Sequence, residues 1–141
     1  RLDVSVNLLT FQALKNGLIT VYGGKQTRPN IHIDDMVNIY IHFLNNPNIS
    51  SGCYNAGFEN ISILEIAETI KNIVPTKIKI LESNDPRSYR QDSTKLLRTG
   101  YKPKKNIDIA IDELISAYKK EELTDKDQWH TVGWMKSQGF N

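Results

Sequence analysis

The chain has 141 residues, of which 39% are hydrophobic and 24% are charged. This composition is typical of a globular domain and excludes a low-complexity or disordered chain. The 18 basic and 16 acidic residues are interspersed and give a net charge of +2, so we expect neither a nucleic-acid partner nor a membrane-binding patch.

Other features narrow the class of protein further. The single cysteine, Cys53, excludes an intrachain disulfide framework and the usual multi-cysteine zinc sites. No apolar run approaches the roughly 20 residues that span a bilayer. With no charged-then-apolar leader visible, the cytoplasm is the expected location. The chain begins Arg-Leu-Asp without a methionine, and we interpret it as part of a longer protein.

Helix and strand patterns alternate along the chain, which predicts an α/β fold. Apolar residues from Val4 to Leu14 recur at helical spacing, and Asn16-Gly17 is a plausible C-cap. Residues 18–22 are β-branched and aromatic and predict a strand. The glycine pair Gly23-Gly24 predicts a hairpin turn into a second strand over residues 28–33.

The next segment predicts a helix followed by a short strand. Asp34 is the expected N-cap of this helix, and Asn45-Asn46-Pro47 ends it. Cys53 to Ala56 predicts a short strand that Gly57 interrupts. The predicted apolar stripe of the helix consists of Met36, Val37, Tyr40, Ile41 and Leu44.

A further helix begins at a capping box, in which Ser62 and Glu65 satisfy each other's backbone N–H groups. Pro75 ends this helix, and residues 77–81 alternate charged and apolar side chains as a half-exposed strand does. The predicted apolar face of the helix consists of Ile63, Ile66, Ala67, Ile70 and Val74.

The last third of the chain predicts two helices and a tail. Asp92 is the expected cap of a short helix that ends at Thr99-Gly100, and either Asn106 or Asp108 caps a helix that reaches about Lys120. The tail has no clear periodicity. We see no internal repeat and no interdomain linker, and expect one unit over residues 1–120 with a C-terminal extension over 121–141.

Several residues invite a chemical interpretation that the sequence does not favour. Gly23-Gly24 lacks both nucleotide-loop patterns, G-x-G-x-x-G and G-x-x-x-x-G-K-[ST]. Asp34 and Asp35 lie near His32, but helix capping explains them better than a metal, so no metal ligand is assigned. Cys53 has no nearby nucleophile partners and is expected to be a small buried apolar residue.

The arginines are more informative. Arg28 precedes a predicted strand, and Arg87 lies in a polar loop after another. Guanidinium groups stay charged and bind phosphate through paired N–H donors, so two of them presented from loops suit a diphosphate. The alternative is that both are ordinary surface arginines with solvent or carboxylate partners.

Five segments occur in the order and spacing of one known family. They are Leu18–Gly24, Arg28–Asp35, Cys53–Gly57, Asp85–Tyr89, and Lys95 with Thr99–Pro103. Over residues 1–120 the chain resembles the C-terminal half of extended short-chain dehydrogenase/reductases, the NAD-dependent sugar-nucleotide epimerases and 4,6-dehydratases. The resemblance implies a small mixed α/β substrate-binding portion, with the Rossmann half absent from this chain.

The resemblance also implies a division of labour. In the family the N-terminal half binds NAD or NADP and carries the Tyr-x-x-x-Lys pair whose tyrosinate acts as the base during hydride transfer at C4. This chain contains neither that glycine fingerprint nor such a pair in the expected context, so we assign no catalytic or cofactor-binding residue and expect the chain alone to be inactive. The intact enzyme is expected to be a homodimer that supplies cell-surface polysaccharide synthesis.

Six residues receive a substrate-binding role from the resemblance. Two line the base and ribose, two arginines clamp the diphosphate, one asparagine orients the nucleotide, and one asparagine on the first helix contacts the sugar diphosphate. In that order they are Thr20, Tyr22, Arg28, Arg87, Asn55 and Asn7. The chain departs from many relatives by having Pro29 where they have an aspartate. The alternative function is a non-catalytic module that binds a nucleotide sugar or a protein partner.

Overall fold

The structure is a computed structural model that describes residues 1–140. Its elements are α1 (Ser5–Asn16), β1 (Leu18–Tyr22), β2 (Thr27–Asn30), α2 (Ile33–Asn45), β3 (Glu59–Ser62), α3 (Ile63–Ile73), β4 (Lys77–Leu81), α4 (Thr94–Leu97), α5 (Ile107–Lys119), a 3-10 turn (Asp127–Trp129) and α6 (Thr131–Ser137). The predicted mixed α/β class is confirmed. Within the described range, no helix has the length and apolar character needed to cross a membrane.

The four strands form two separate pairs. β1 and β4 are parallel, with Leu18 opposite Lys77, whereas β2 and β3 are antiparallel, with Thr27 opposite Ser62. The predicted hairpin between residues 18–22 and 28–33 is therefore wrong. Gly23-Gly24 does form a turn, with φ of 75° and 97°, but it leads from one sheet to the other. Glycine permits the change of direction and does not determine which strand becomes the partner.

The main core lies where α1, α3 and α5 pack on β1, and two local predictions near it are confirmed. Gly17 closes α1 in the left-handed conformation, and both hydrogen bonds of the Ser62–Glu65 capping box are present. Of the predicted apolar face of α3, Ile66, Ala67 and Ile70 are buried, and Ile63 and Val74 are partly buried and pack against them. The buried residues of this core are Val6, Leu9, Ala13, Ile19, Val21, Ile66, Ala67, Ile70, Ile107 and Ile111.

The predicted apolar stripe of α2 lies largely on the outside. Tyr40 is 67% exposed and Leu44 is 81% exposed, whereas Asp35 and Ile39 are buried on the opposite side. Helical periodicity identified an apolar face, but the neighbouring elements in residues 1–140 cover the other one. The helix also begins two residues earlier than predicted: His32 rather than Asp34 is the N-cap, and its side chain accepts the N–H of Asp34.

Two other predictions in this region are wrong. Cys53 to Ala56 is not a strand; the strand is β3, a few residues later. Cys53 is exposed rather than buried, and its carbonyl accepts a hydrogen bond from Lys95 Nζ at 2.9 Å. Among the described residues no strand pairs with this segment. It therefore does not form a strand, although its composition is typical of one.

The caps of the two later helices also differ in detail. α4 has only four residues and begins after Ser93, although the Asp92 side chain still accepts the N–H of Thr94 at 2.8 Å. For α5 the cap is Asn106 rather than Asp108, since the Asn106 side chain accepts the N–H of Ile109 at 3.0 Å.

The C-terminal segment returns to the start of the chain. The N–H of Leu2 donates to the carbonyl of Trp129 at 2.8 Å, and Leu2 is buried. The Asp125 carboxylate joins Lys15 of α1 at 2.9 Å to His130 at 2.7 Å. The segment is thus attached to Leu2 by a backbone hydrogen bond and to α1 by a small ionic network.

Candidate functional site

The loop that carries Arg87 is fastened to the edge of β2. The backbone N–H of Thr27 donates to the Ser88 hydroxyl at 3.0 Å, and the N–H of Tyr89 donates to the Thr27 carbonyl at 3.3 Å. These two hydrogen bonds bring the loop against the strand that carries Arg28, although the two arginines are 59 residues apart in sequence.

The same loop continues along β3 through side-chain hydrogen bonds. The Asn60 amide donates to the Gln91 carbonyl at 3.0 Å and accepts the Gln91 N–H at 2.8 Å. The buried Ser93 hydroxyl makes two 3.0 Å hydrogen bonds to the backbone of Gly57. A β-carbon at Gly57 would lie 2.9 Å from the β-carbon of Pro29, so only glycine allows this close approach.

The two predicted arginines meet at one carboxylate, Asp85. Arg87 donates to it from Nε at 2.7 Å and from Nη2 at 2.8 Å, while Arg28 Nη2 lies 3.5 Å away. Arg28 also donates from Nη1 to the carbonyls of Thr27 and Arg87 and lies over the Tyr89 ring, with 4.9 Å to its centroid. Arg28 is only 18% exposed, whereas Arg87 is 76% exposed.

The charges of this cluster reinforce one another. Hydrogen bonds from Arg87 hold the pKa of Asp85 far below its ordinary value, and Asp85 in turn raises the pKa of Arg87. Asp85 is therefore ionised at neutral pH. Sequence reasoning missed Asp85 as a partner, although Asp-Pro-Arg is a typical Asx-turn sequence, and the Asp85 side chain accepts the Arg87 N–H at 3.1 Å.

A shallow groove of about 310 Å³ adjoins the cluster, between the turn after β1 and the loop after β4. Its lining combines glycine, hydroxyl, amide and charged groups. The lining residues are Gly23, Lys25, Gln26, Ser83, Asp85, Pro86 and Ser88. Lys25 is a cation at this groove that sequence reasoning missed; its position beside Gly23-Gly24, in a turn, was the available signal.

The other four predicted residues lie at different distances from this groove. Tyr22 ends β1 beside it, is exposed, and accepts a hydrogen bond from Gln26 at its carbonyl, at 2.6 Å. Thr20 is half-buried in β1, with its N–H bonded to the side chain of Gln12 at 3.0 Å.

The two asparagines are engaged elsewhere. Asn55 Nδ2 donates to the carbonyl of Asp92 at 3.2 Å. Asn7 Nδ2 donates to the carbonyl of Arg1 at 2.8 Å. Within residues 1–140 no hydrogen bond connects either one to the arginine cluster, so the geometry brings together Arg28 and Arg87 and places only Tyr22 next to their groove.

One pair in the chain has the Tyr-x-x-x-Lys spacing, Tyr101 and Lys105, and its environment is the reverse of a catalytic one. Tyr101 is buried and donates to the Asp35 carboxylate at 2.7 Å. Burial, together with this carboxylate, raises the pKa of Tyr101, whereas a tyrosinate base needs a lowered pKa. The Lys105 ammonium contacts Glu113 and Asp34 instead of the tyrosine.

The residues of this chain do not fit a dinucleotide cofactor. The glycine turn at Gly23-Gly24 is followed by a strand, not by the helix whose N-terminus would face a pyrophosphate. The sequence contains no G-x-G-x-x-G pattern elsewhere. No step of the chemistry can therefore be assigned to a cofactor held by this chain.

A cluster at the start of α2 resembles a metal-ligand set, but a lysine already pairs with both of its carboxylates. The ligand atoms of His32, Asp34 and Glu113 lie within 4.8 Å of one another. His32 Nε2 is 3.0 Å from Glu113, and Lys105 Nζ contacts Glu113 and lies 3.4 Å from Asp34. This is a salt-bridge network that ties α2 to α5.

Comparison with known proteins identifies relatives of this fold. No family model matches the chain. It is 32% identical over 122 residues to UDP-glucuronic acid decarboxylase 1 of Danio rerio and 30% identical to the protein of the same name in Xenopus tropicalis. Each match covers 82% of this chain and 29% of the relative, so the chain spans less than a third of the length of these proteins.

Comparison with solved structures finds proteins of similar fold. The fold superposes on UDP-N-acetylglucosamine 4-epimerase from Bacillus cereus, with a TM-score of 0.66 and 21% identity, over 79% of this chain and 42% of that one. It matches dTDP-glucose 4,6-dehydratase from Bacillus anthracis with a TM-score of 0.67 and 21% identity, over 85% and 40%. The predicted resemblance to the extended short-chain dehydrogenase/reductases is confirmed, over part of the length of these proteins.

Proposed function

We propose that this chain is the sugar-nucleotide-binding part of an NAD(P)-dependent enzyme that acts on a nucleoside-diphosphate hexose. The observation that carries the proposal is the convergence of Arg28 and Arg87, from a strand and from a distant loop, on Asp85, which lines one groove. Two guanidinium groups that share a carboxylate lining a groove of this size suit a diphosphate whose nucleoside lies in the groove.

The chain contributes binding and orientation. Arg28 is held by Asp85, two carbonyls and the Tyr89 ring, so its position is fixed before ligand arrives. Arg87 is exposed and presents its remaining N–H groups to solvent. Anchoring the diphosphate holds the attached sugar in one place, which is the contribution to catalysis that positioning makes. Thr20, Tyr22, Asn55 and Asn7 remain predicted contacts of the same ligand.

The reaction belongs to the intact enzyme. We propose hydride transfer at C4 of the hexose by an epimerase, dehydratase or decarboxylase, with NAD or NADP held by a different domain. This chain alone is then inactive, since its sequence has no glycine fingerprint for the cofactor and the hydroxyl of Tyr101 is engaged by the Asp35 carboxylate.

Calorimetric titration with UDP-, dTDP- and GDP-linked glucose tests the binding proposal. Contacts with charged groups are worth about 1.5–3 kcal/mol each, so the double variant Arg28→Ala/Arg87→Ala should bind the preferred ligand at least about a hundredfold more weakly. The matched control is Arg90→Ala, which removes a cation from the same loop. Equal affinity of the double variant and the unchanged chain would refute the diphosphate clamp.

The alternative is a non-catalytic nucleotide-sugar-binding module, in which the engagement of Tyr101 by Asp35 is expected just as it is in the enzyme. This module would show the same binding. The coding sequence upstream of Arg1 distinguishes the two proposals. A glycine fingerprint followed by Tyr-x-x-x-Lys supports the enzyme, and a degenerate version of that pair supports the module.

A further inference from the structure

We propose that Asp85 is a specificity-determining residue: it offsets the preference of the arginine pair for a free nucleoside diphosphate over a nucleoside-diphosphate sugar. This inference rests on the proposed function, because it presupposes that the arginines bind a diphosphate. It concerns an acidic residue that lies at the centre of an otherwise anion-binding cluster.

The geometry places Asp85 where a ligand must approach it. The carboxylate accepts from Arg87 at 2.7 and 2.8 Å and lies 3.5 Å from Arg28. It also lines the groove. Arg87 uses Nε and one N–H of Nη2 on Asp85, which leaves three of the five guanidinium N–H groups for a ligand. A bound diphosphate would therefore share the guanidinium with this carboxylate.

The charges of the cluster and of the ligand determine which of the two ligands binds more tightly. Two guanidinium groups and one carboxylate carry a net charge of about +1 rather than +2. A diphosphate esterified at both ends carries about two negative charges, whereas a free nucleoside diphosphate carries about three above the second phosphate pKa of about 6. The arginines attract the more highly charged ligand more strongly, and the repulsion from Asp85 grows with ligand charge in the same way. Asp85 thus reduces the ratio of the affinity for the free nucleoside diphosphate to the affinity for the nucleoside-diphosphate sugar.

The variant Asp85→Asn tests this inference, because the amide keeps the shape of the side chain and removes its charge. A charge about 7 Å away in water changes affinity about threefold for each ligand charge. We expect the variant to bind UDP-glucose about tenfold and UDP about thirtyfold more tightly than the unchanged chain, at pH 8 and low salt. The preference for UDP over UDP-glucose should therefore rise about threefold.

The matched control is Asp112→Asn, which removes the same charge from the exposed face of α5 and should change neither affinity. Circular dichroism checks that each variant folds, and Asp85→Ala provides a second neutral side chain in case the asparagine variant is impaired.

An unchanged ratio of the two affinities, or weaker binding of both ligands, would overturn the inference and indicate that Asp85 only orients Arg87. Failure of the proposed function has a different result: neither nucleotide then binds the unchanged chain or the Asp85 variants.

Discussion

Replacing Asp35 with asparagine should destabilise the protein more than any other removal of a single carboxylate charge near α2. The Asp35 carboxylate is fully buried and accepts three donors from a distant part of the chain. They are the Tyr101 hydroxyl at 2.7 Å and the backbone N–H groups of Lys104 at 3.0 Å and Lys105 at 2.9 Å. These bonds attach α2 to the segment that precedes α5.

The size of the stability loss follows from the hydrogen bonds that an asparagine side chain can still accept. Hydrogen bonds to a charged group are worth about 1.5–3 kcal/mol, and a buried donor left without an acceptor costs about 1–3 kcal/mol. An amide at Asp35 keeps one oxygen but turns its NH₂ group toward at least one of the donors. We therefore expect a loss of about 2–4 kcal/mol in the free energy of unfolding.

Urea denaturation followed by circular dichroism measures this loss, with Asp34→Asn as the matched control. Asp34 is the adjacent residue, is exposed, and pairs with Lys105 at 3.4 Å; exposed ion pairs contribute at most about 1 kcal/mol. The reasoning is refuted if the Asp35 and Asp34 variants lose equal stability.

The loss of stability at acid pH provides a second test of the role of Asp35. Burial opposes its ionisation, but the hydrogen bonds from Tyr101, Lys104 and Lys105 outweigh burial and lower its pKa below the ordinary 3.8. A group with a lowered folded-state pKa stabilises the protein above its unfolded pKa, and that stability disappears as pH falls through the folded value. Between about pH 5 and pH 3 the unchanged chain should therefore lose more stability than the asparagine variant.

Three further substitutions test other parts of the structure. Gly57→Ala should cost about 1–3 kcal/mol, because its β-carbon would overlap the side chain of Gln91; urea denaturation measures the cost. Ser62→Ala should cost about 1 kcal/mol, because it removes the acceptor for the Glu65 N–H, and thermal unfolding detects it. Asp125→Asn should speed proteolysis within residues 121–131 a few-fold, because it weakens the link between the C-terminal segment and α1.

Each of these has a control variant that makes the same chemical change at an exposed position. Gly133→Ala adds a β-carbon with no atom within 4 Å, Ser51→Ala removes a hydroxyl from an exposed loop, and Asp127→Asn removes a charge from the same exposed segment. If a test variant and its control behaved alike, the result would contradict the role assigned to that residue. These roles are close packing at Gly57, the helix cap at Ser62 and the ionic link at Asp125.

Local signals in the sequence predicted local structure well. The Ser62–Glu65 capping box and the left-handed Gly17 involve residues at most three positions apart or a single backbone conformation, so the sequence contains all the information they require. Sheet pairing requires more. β1 pairs with β4, whose first residue Lys77 lies far along the chain from its partner Leu18, and the turn at Gly23-Gly24 carries no information about that partner.

The candidate site was predictable only through resemblance. Nothing local indicates that Arg28 and Arg87 meet, since they are 59 residues apart. Without the resemblance, the sequence favours their alternative role as surface arginines. The pairing of Asp85 with Arg87 is local and was predictable from the Asx-turn sequence. Its contact with Arg28 was not, because that contact depends on the hydrogen bonds that fasten the loop to β2.

Helix α2 shows why periodicity alone could not place the core. The pattern marks Tyr40 and Leu44 as core residues, yet both are exposed, whereas Asp35, which lies outside the predicted stripe, is buried. An aspartate can be buried when donors satisfy its charge, and those donors, Tyr101 and Lys104, lie 66 and 69 residues later in the chain. Whether a side chain is buried therefore depends on the groups that the fold packs against it. The hydropathy of a residue describes that residue alone and carries no information about those groups.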